Sequence, residues 1–232
     1  MNISIKDGEI MDFQKTALLL IDLQKESKFG IEGVEDVIKK SQKLINVCRE
    51  QDIPVIYSRH MNRSDRFGIS KGEPLDDKGK PVYYSTDSHN FQIFDEIAPK
   101  KEEIVIDKFR WSAFHETSLD LILRSLDVKH LIIAGFVTDG CVMTSAFDGF
   151  FKDYQINLVK DICAATNEGA HMASILIMAN WIYGINIFES EDLIKNIHNE
   201  DHQAWKSLEP DSMQFTPETM REMFYKLGGV HE

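Results

Sequence analysis

Short apolar runs closed by a charge or a turn alternate along this chain with longer stretches of helical spacing. Residues 16–22, Thr-Ala-Leu-Leu-Leu-Ile-Asp, read as a strand buried on both faces. Val34, Val37, Ile38, Ser41, Leu44, Ile45 and Cys48 then recur on one face, which predicts a helix over 34–51. Residues 53–58 predict a second strand with Pro54 near its start. Residues 61–90 are rich in Gly, Pro, Ser, Asp and Asn and read as one long loop of the lid or binding-loop kind. A short helix is expected over 91–97. Strands follow at 104–107, 131–135, 156–159 and 185–188, with helices at 117–126, 142–151 and 168–182. Thr117 is the expected N-cap of the 117–126 helix, with Asp120 three residues on.

This alternation predicts an α/β fold: a three-layer α-β-α, Rossmann-like arrangement with a six-stranded, mainly parallel sheet and helices on both faces. Ligands in such sheets bind beyond the carboxyl ends of the strands, at a topological switch point. Residues 1–198 read as one domain. Residues 199–232 are polar until a helical pattern at 217–227, and are expected as a helical extension packing on the same domain or on a neighbouring subunit.

Composition narrows the function. The 232 residues carry a net charge of −12, which argues against nucleic acid and anionic membranes as main partners. Cys48, Cys141 and Cys163 are too few and scattered for a disulfide framework or a zinc site. Residues 1–6 lack a signal-peptide pattern, and no apolar run approaches a membrane span. A cytoplasmic protein with reduced thiols is expected.

The densest chemistry lies at Gly135-Phe136-Val137-Thr138-Asp139-Gly140-Cys141-Val142, between a strand and a helix. A helix start favours a thiolate, so Cys141 is a candidate nucleophile. Asp22 closes the first strand and Lys108 follows the third, so a parallel sheet brings all three to one edge. A carboxylate can take the thiol proton and return it to a leaving amine, and a cation beside both is expected to lower the thiol pKa. Cys48 and Cys163 read as structural, Asp139 as a helix cap, and His171 as a packing or subunit-contact residue.

Ile21-Asp22-Leu23-Gln24, Asp107-Lys108 with Ser112-Ala113-Phe114, and Gly135-x-x-Thr138-Asp139-x-Cys141-Val142 together resemble the isochorismatase-like cysteine hydrolases. That superfamily includes nicotinamidases, N-carbamoylsarcosine amidase and biuret hydrolase. The resemblance covers roughly residues 15–195. It implies an Asp22–Lys108–Cys141 triad, a cis peptide just before Val137, and an oxyanion hole from the backbone N–H groups of Val137 and Cys141. It implies hydrolysis of a C–N bond in a small carboxamide, ureido or carbamoyl compound through a thioester, with no cofactor, in a homodimer or homotetramer.

Departures refine that expectation. Nicotinamidases carry an Asp-x-His metal site after the second strand; this chain reads Ser58-Arg59-His60-Met61-Asn62, and His89 stands apart. No metal is therefore expected. Siderophore-type isochorismatases cleave a vinyl ether and lack the nucleophilic cysteine, which this chain keeps. Ether cleavage and an idle binding or thiol-sensor protein are the alternatives. Gln24, Arg110 and Trp111 are the candidate substrate-binding residues, Arg110 as a fork for a carboxylate and Trp111 as a stacking surface. Phe29 falls later after Asp22 than the aromatic residue of many relatives.

Overall fold

A computed structural model describes residues 11–26 and 29–228. Strands β1 (Thr16–Ile21), β2 (Val55–His60), β3 (Ile104–Lys108), β4 (His130–Phe136), β5 (Gln155–Ala164), β6 (Asn186–Phe188) and β7 (Trp205–Lys206) form one sheet of order β3-β2-β1-β4-β5-β6-β7. All neighbours are parallel except β6 and β7, which are antiparallel. The helices are α1 (Val34–Glu50), α2 (Leu119–Ser125), α3 (Met143–Phe151), α4 (Glu168–Trp181), α5 (Ser190–Ile197) and α6 (Met220–Tyr225). Helix α1 packs with α5, and α3 packs with α4, giving layers about the sheet. No helix among the described residues is long and apolar enough to cross a membrane.

The central strands are apolar because both faces are covered: every residue of β1 is buried. Helix α1 buries the expected stripe Val37, Ile38, Ser41, Leu44, Ile45 and Cys48. The chain runs outward from β1 through β2 to β3, then crosses back to place β4 on the other side of β1. The β1–β4 boundary is thus the switch point, and its carboxyl edge is where this architecture opens a site.

Several expectations need correction. The sheet has seven strands rather than six, because a two-residue edge strand at Trp205–Lys206 pairs with β6. Strand β5 continues to Ala164, beyond the predicted 159, since its interrupting charges find partners. Lys160 pairs with Glu189 at 2.9 Å, and Asp161 accepts from the Ser190 N–H and hydroxyl at 2.7 Å each. Helix α5 adds to the expected set; it is short, with Leu193 and Ile197 as its buried apolar residues. The helix expected at 91–97 is two separate 3-10 turns, His89–Phe91 and Asp95–Ile97. Thr117 does not cap α2 in the expected place. The helix starts at Leu119, whose N–H Thr117 accepts, while Asp120 accepts the Tyr154 hydroxyl proton.

The extension folds back on the body. Phe224 of α6 packs edge-on against His171 of α4, Lys160 lies 4.8 Å from the Phe224 ring, and Leu227 is fully buried. Arg221 forms an ion pair with Glu168.

Candidate active site

Three strand ends converge on the switch point. Asp22 follows β1 with φ of 49°, a left-handed conformation that Asp tolerates better than most residues. Ser58 near the end of β2 donates to Asp22 Oδ1 at 2.7 Å and fixes the carboxylate. Lys108 ends β3 fully buried, its Nζ 2.7 Å from Asp22 Oδ2. The same ammonium donates to the Arg110 carbonyl at 3.1 Å and faces Cys141. Ser58 and Lys108 thus hold one carboxylate oxygen each, and the Cys141 sulfur lies within 4.8 Å of the carboxylate.

Gly135 makes this convergence possible. It pairs with Ile21 at φ of 130°, and a Cβ there would lie 2.0 Å from the Ile21 carbonyl oxygen. Only glycine lets β4 pass β1 this closely just before Asp22. The Phe136–Val137 peptide that follows is cis, as the resemblance implies. Residues Thr138–Val142 form a single wide turn, closed by the Val142 N–H on the Val137 carbonyl at 3.1 Å, which runs straight into α3. Ser145 donates to the Cys141 carbonyl at 2.6 Å and accepts from the Ala113 N–H at 2.9 Å. That hydroxyl ties the Cys141 turn to the segment after Lys108. Asp139 is exposed and makes no cap hydrogen bond, contrary to expectation.

The electrostatics reverse one expectation. Burial is the largest influence on the Cys141 thiol, and the Asp22 charge adds to it; Lys108 works the other way and does not prevail. The thiol pKa is pushed up to about 12, so the resting group is a thiol. Burial opposes charge on Lys108, yet Asp22 and Cys141 together raise its pKa, and the ammonium persists. The arrangement therefore keeps a neutral nucleophile beside a base poised to take its proton.

The structure brings Asp22, Lys108, Cys141 and the Val137 turn together. Gln24 is placed differently from expectation: its amide nitrogen donates to the His60 and Phe91 carbonyls at 3.1 and 2.8 Å, and its oxygen accepts the His60 N–H at 2.8 Å. Its donors are thus committed to holding β2 against the 89–91 turn. Arg110 donates to the Gly68 and Phe109 carbonyls at 2.9 Å each, which clasps the 61–88 loop. Trp111 is 65 % exposed. Asn62 holds that loop from within, donating to Glu73 at 2.7 Å and to the Tyr83 carbonyl at 3.2 Å. Phe29 stacks on Tyr83 with ring centroids 4.4 Å apart, which joins the segment after β1 to the loop.

Two residues beside Asp22 were not singled out from sequence: Ser58, and His60 as a site group. Their signal was position alone, at the end of the strand that pairs with β1. His60 is buried, and its ring, the Asp22 carboxylate and the Cys141 sulfur each place one atom within 4.8 Å of the others. Such a trio can ligate a metal, but Lys108 already holds a positive charge against the oxygen a cation would need. The donor set fits an ion-paired proton relay better than a metal cage.

A doubly wound sheet with a buried Cys–Lys–Asp cluster at its switch point defines a class of α/β enzyme that works from the carboxyl edge of its strands. Residues 16–192 match the Isochorismatase domain family model, and the chain belongs to that family of hydrolases. It is 27 % identical over 199 residues to the ureidoacrylate amidohydrolase RutB of Acinetobacter baylyi, covering 73 % of this chain and 80 % of that protein. Its fold matches a cysteine hydrolase from Pseudomonas syringae pv. phaseolicola with a TM-score of 0.74 at 24 % identity, covering 82 % and 96 % of the two chains. It also matches N-carbamoylsarcosine amidase from Thermoplasma acidophilum with a TM-score of 0.64 at 23 % identity, covering 76 % and 96 %.

Proposed function

We propose that the protein is a metal-independent cysteine hydrolase that cleaves a C–N bond of a small carboxamide or ureido compound. The observation that carries the proposal is the buried Asp22–Lys108 pair against Cys141. The names of the relatives, a ureidoacrylate amidohydrolase and an N-carbamoylsarcosine amidase, support the reaction class.

In this mechanism Cys141 gives its proton to Asp22 Oδ2 as sulfur attacks the substrate carbonyl. Lys108 stabilises the thiolate as it forms and keeps Asp22 oriented, while Ser58 holds the other carboxylate oxygen. The N–H groups of Val137 and Cys141 face the developing oxyanion; one such donor is typically worth about 10²–10³ in rate. Asp22 protonates the departing ammonia or amine, leaving a thioester at Cys141. A water, deprotonated by Asp22, attacks the thioester carbonyl and releases the acid and the thiol. A thiol at about 12 argues against a thiol sensor, because sensors depend on exposed, acidic cysteines. Vinyl ether cleavage does not call for a nucleophilic sulfur and leaves Cys141 without a task.

The test is ammonia release from a panel of carboxamides and carbamoyl compounds, with intact-mass detection of the acyl adduct. Wild-type protein is expected to release ammonia, and Cys141→Ala to release none and form no adduct. Turnover by Cys141→Ala, or no turnover of any panel member by the wild type, overturns the proposal. Self-association belongs to the same reading and is supported by exposed Phe151 at the end of α3 and exposed Trp181 and Tyr183 at and just past the end of α4, which packs with α3.

A further inference from the structure

Among the described residues, His60 Nδ1 and Asn62 Oδ1 are buried side-chain atoms without a hydrogen-bond partner, whereas Asp22 Oδ2 beside them is taken by Lys108 at 2.7 Å. His60 ends β2 and Asn62 lies two residues beyond it, next to the switch point. The Arg110 backbone lies against the ring, and Nδ1 is the buried ring nitrogen left without a partner. The ring is held edge-on against Tyr84, with centroids 5.3 Å apart, and is 8 % exposed. Burial is the main force keeping it neutral, Lys108 adds to that, and Asp22 opposes it; its pKa falls to about 4.

We infer that His60 is a specificity-determining residue whose Nδ1 accepts an N–H of the substrate's amide or ureido group. The inference rests on the hydrolase reading above. A buried acceptor left without a donor costs about 1–3 kcal/mol, a cost that a bound ligand removes by supplying one. One ring nitrogen of His60 lies within 4.8 Å of both the nucleophile and the base, so a donor that meets this ring belongs to the reacting end of the substrate. A terminal –C(O)–NH₂ group offers an N–H bond to His60 Nδ1, while Asp22 Oδ2 stays with Lys108. An ester of the same acid offers none. Rejection of the donor-free isostere follows from the unpaired acceptor it leaves at His60.

Two measurements test this. In Cys141→Ala protein with ¹⁵N-labelled histidine, NMR is expected to show His60 Nδ1 unprotonated at pH 7. That resonance is expected to move when acetamide, N-methylurea or N-carbamoylglycine is added. A protonated Nδ1, or no probe binding in a way that moves the resonance, overturns the inference. For the reacting enzyme, acetamide and p-nitrophenyl acetate deliver the same acyl group with and without an N–H. His60→Leu is expected to lose at least about tenfold more kcat/KM on the amide than on the ester, the size of one lost hydrogen bond to a buried group. His60→Gln, which restores an acceptor, is expected to recover part of the ratio. A merely structural role lowers both rates alike, and that outcome also overturns the inference. Absence of ammonia release from every amide defeats the hydrolase reading instead, while the resonance still decides the role of His60.

Discussion

Asp22→Asn should make Cys141 more reactive toward a simple alkylating agent while abolishing turnover. Asparagine keeps the shape of Asp22, accepts from Ser58 through Oδ1, and tolerates the left-handed backbone found there. What it removes is the negative charge that, after burial, holds the thiol pKa high. Unit charges 4.8 Å apart, the outer limit of the Asp22–Cys141 separation, interact by about 3.5 kcal/mol at an effective dielectric of about 20. Losing that repulsion lowers the thiol pKa by about 2.5 and raises the thiolate fraction about 300-fold at fixed pH. Nucleophilicity falls as the thiol becomes more acidic, so alkylation should rise by about 20-fold. The assay is iodoacetamide labelling followed by peptide mapping between pH 6 and 10. Cys48 and Cys163, both buried and with pKa raised to about 12, serve as internal references. Wild-type Cys141 labelling should climb with pH through this range. A wild-type rate that is fast and flat down to pH 6, or an Asp22→Asn rate no higher than wild type, refutes the electrostatic account.

Acid should destabilise the protein as pH falls from about 6.5 to about 4. His60 and His171 are both held near 4 in the fold, chiefly by burial, so the unfolded chain takes up protons first and folding stability is lost across that window. His60 alone accounts for about 3 kcal/mol, and urea midpoints that stay constant between pH 7 and 4.5 would contradict it. Gly135→Ala should prevent folding or lower stability by more than about 4 kcal/mol, because its Cβ meets Ile21 backbone rather than a side chain that can move. A soluble variant with unchanged thermal midpoint would show that β1 and β4 can part without loss of the site.

The alternation of buried runs and amphipathic stretches was enough to reach the central sheet, because β1 and β4 have no exposed face on which a polar residue could blur the pattern. Position at strand ends was enough to bring Asp22, Lys108 and Cys141 together. The signals that failed were local ones. Gln24 lies beside Asp22 and offers an amide, yet that amide answers backbone groups of His60 and Phe91 that are remote in sequence. Lys160 and Asp161 end an apolar run, yet β5 continues because Glu189 and Ser190 meet them from the start of α5, just past β6. In each case the partner that decides the outcome is distant in sequence.

The Cys141 thiol follows the same rule. A helix start and a nearby lysine both favour thiolate, and both can be read from residue order. The depth to which the sulfur is buried cannot, since it exists only once β1 and β4 close at Gly135, and burial is the largest influence on the thiol. With it included, the balance of charge at rest is one ammonium and one carboxylate around a neutral sulfur. Proton transfer from Cys141 to Asp22 moves the negative charge from one partner of Lys108 to another without changing the net charge of the buried cluster. The neutral acceptor His60 adds no charge to that exchange. It leaves the substrate's own N–H groups as the donors that complete the site.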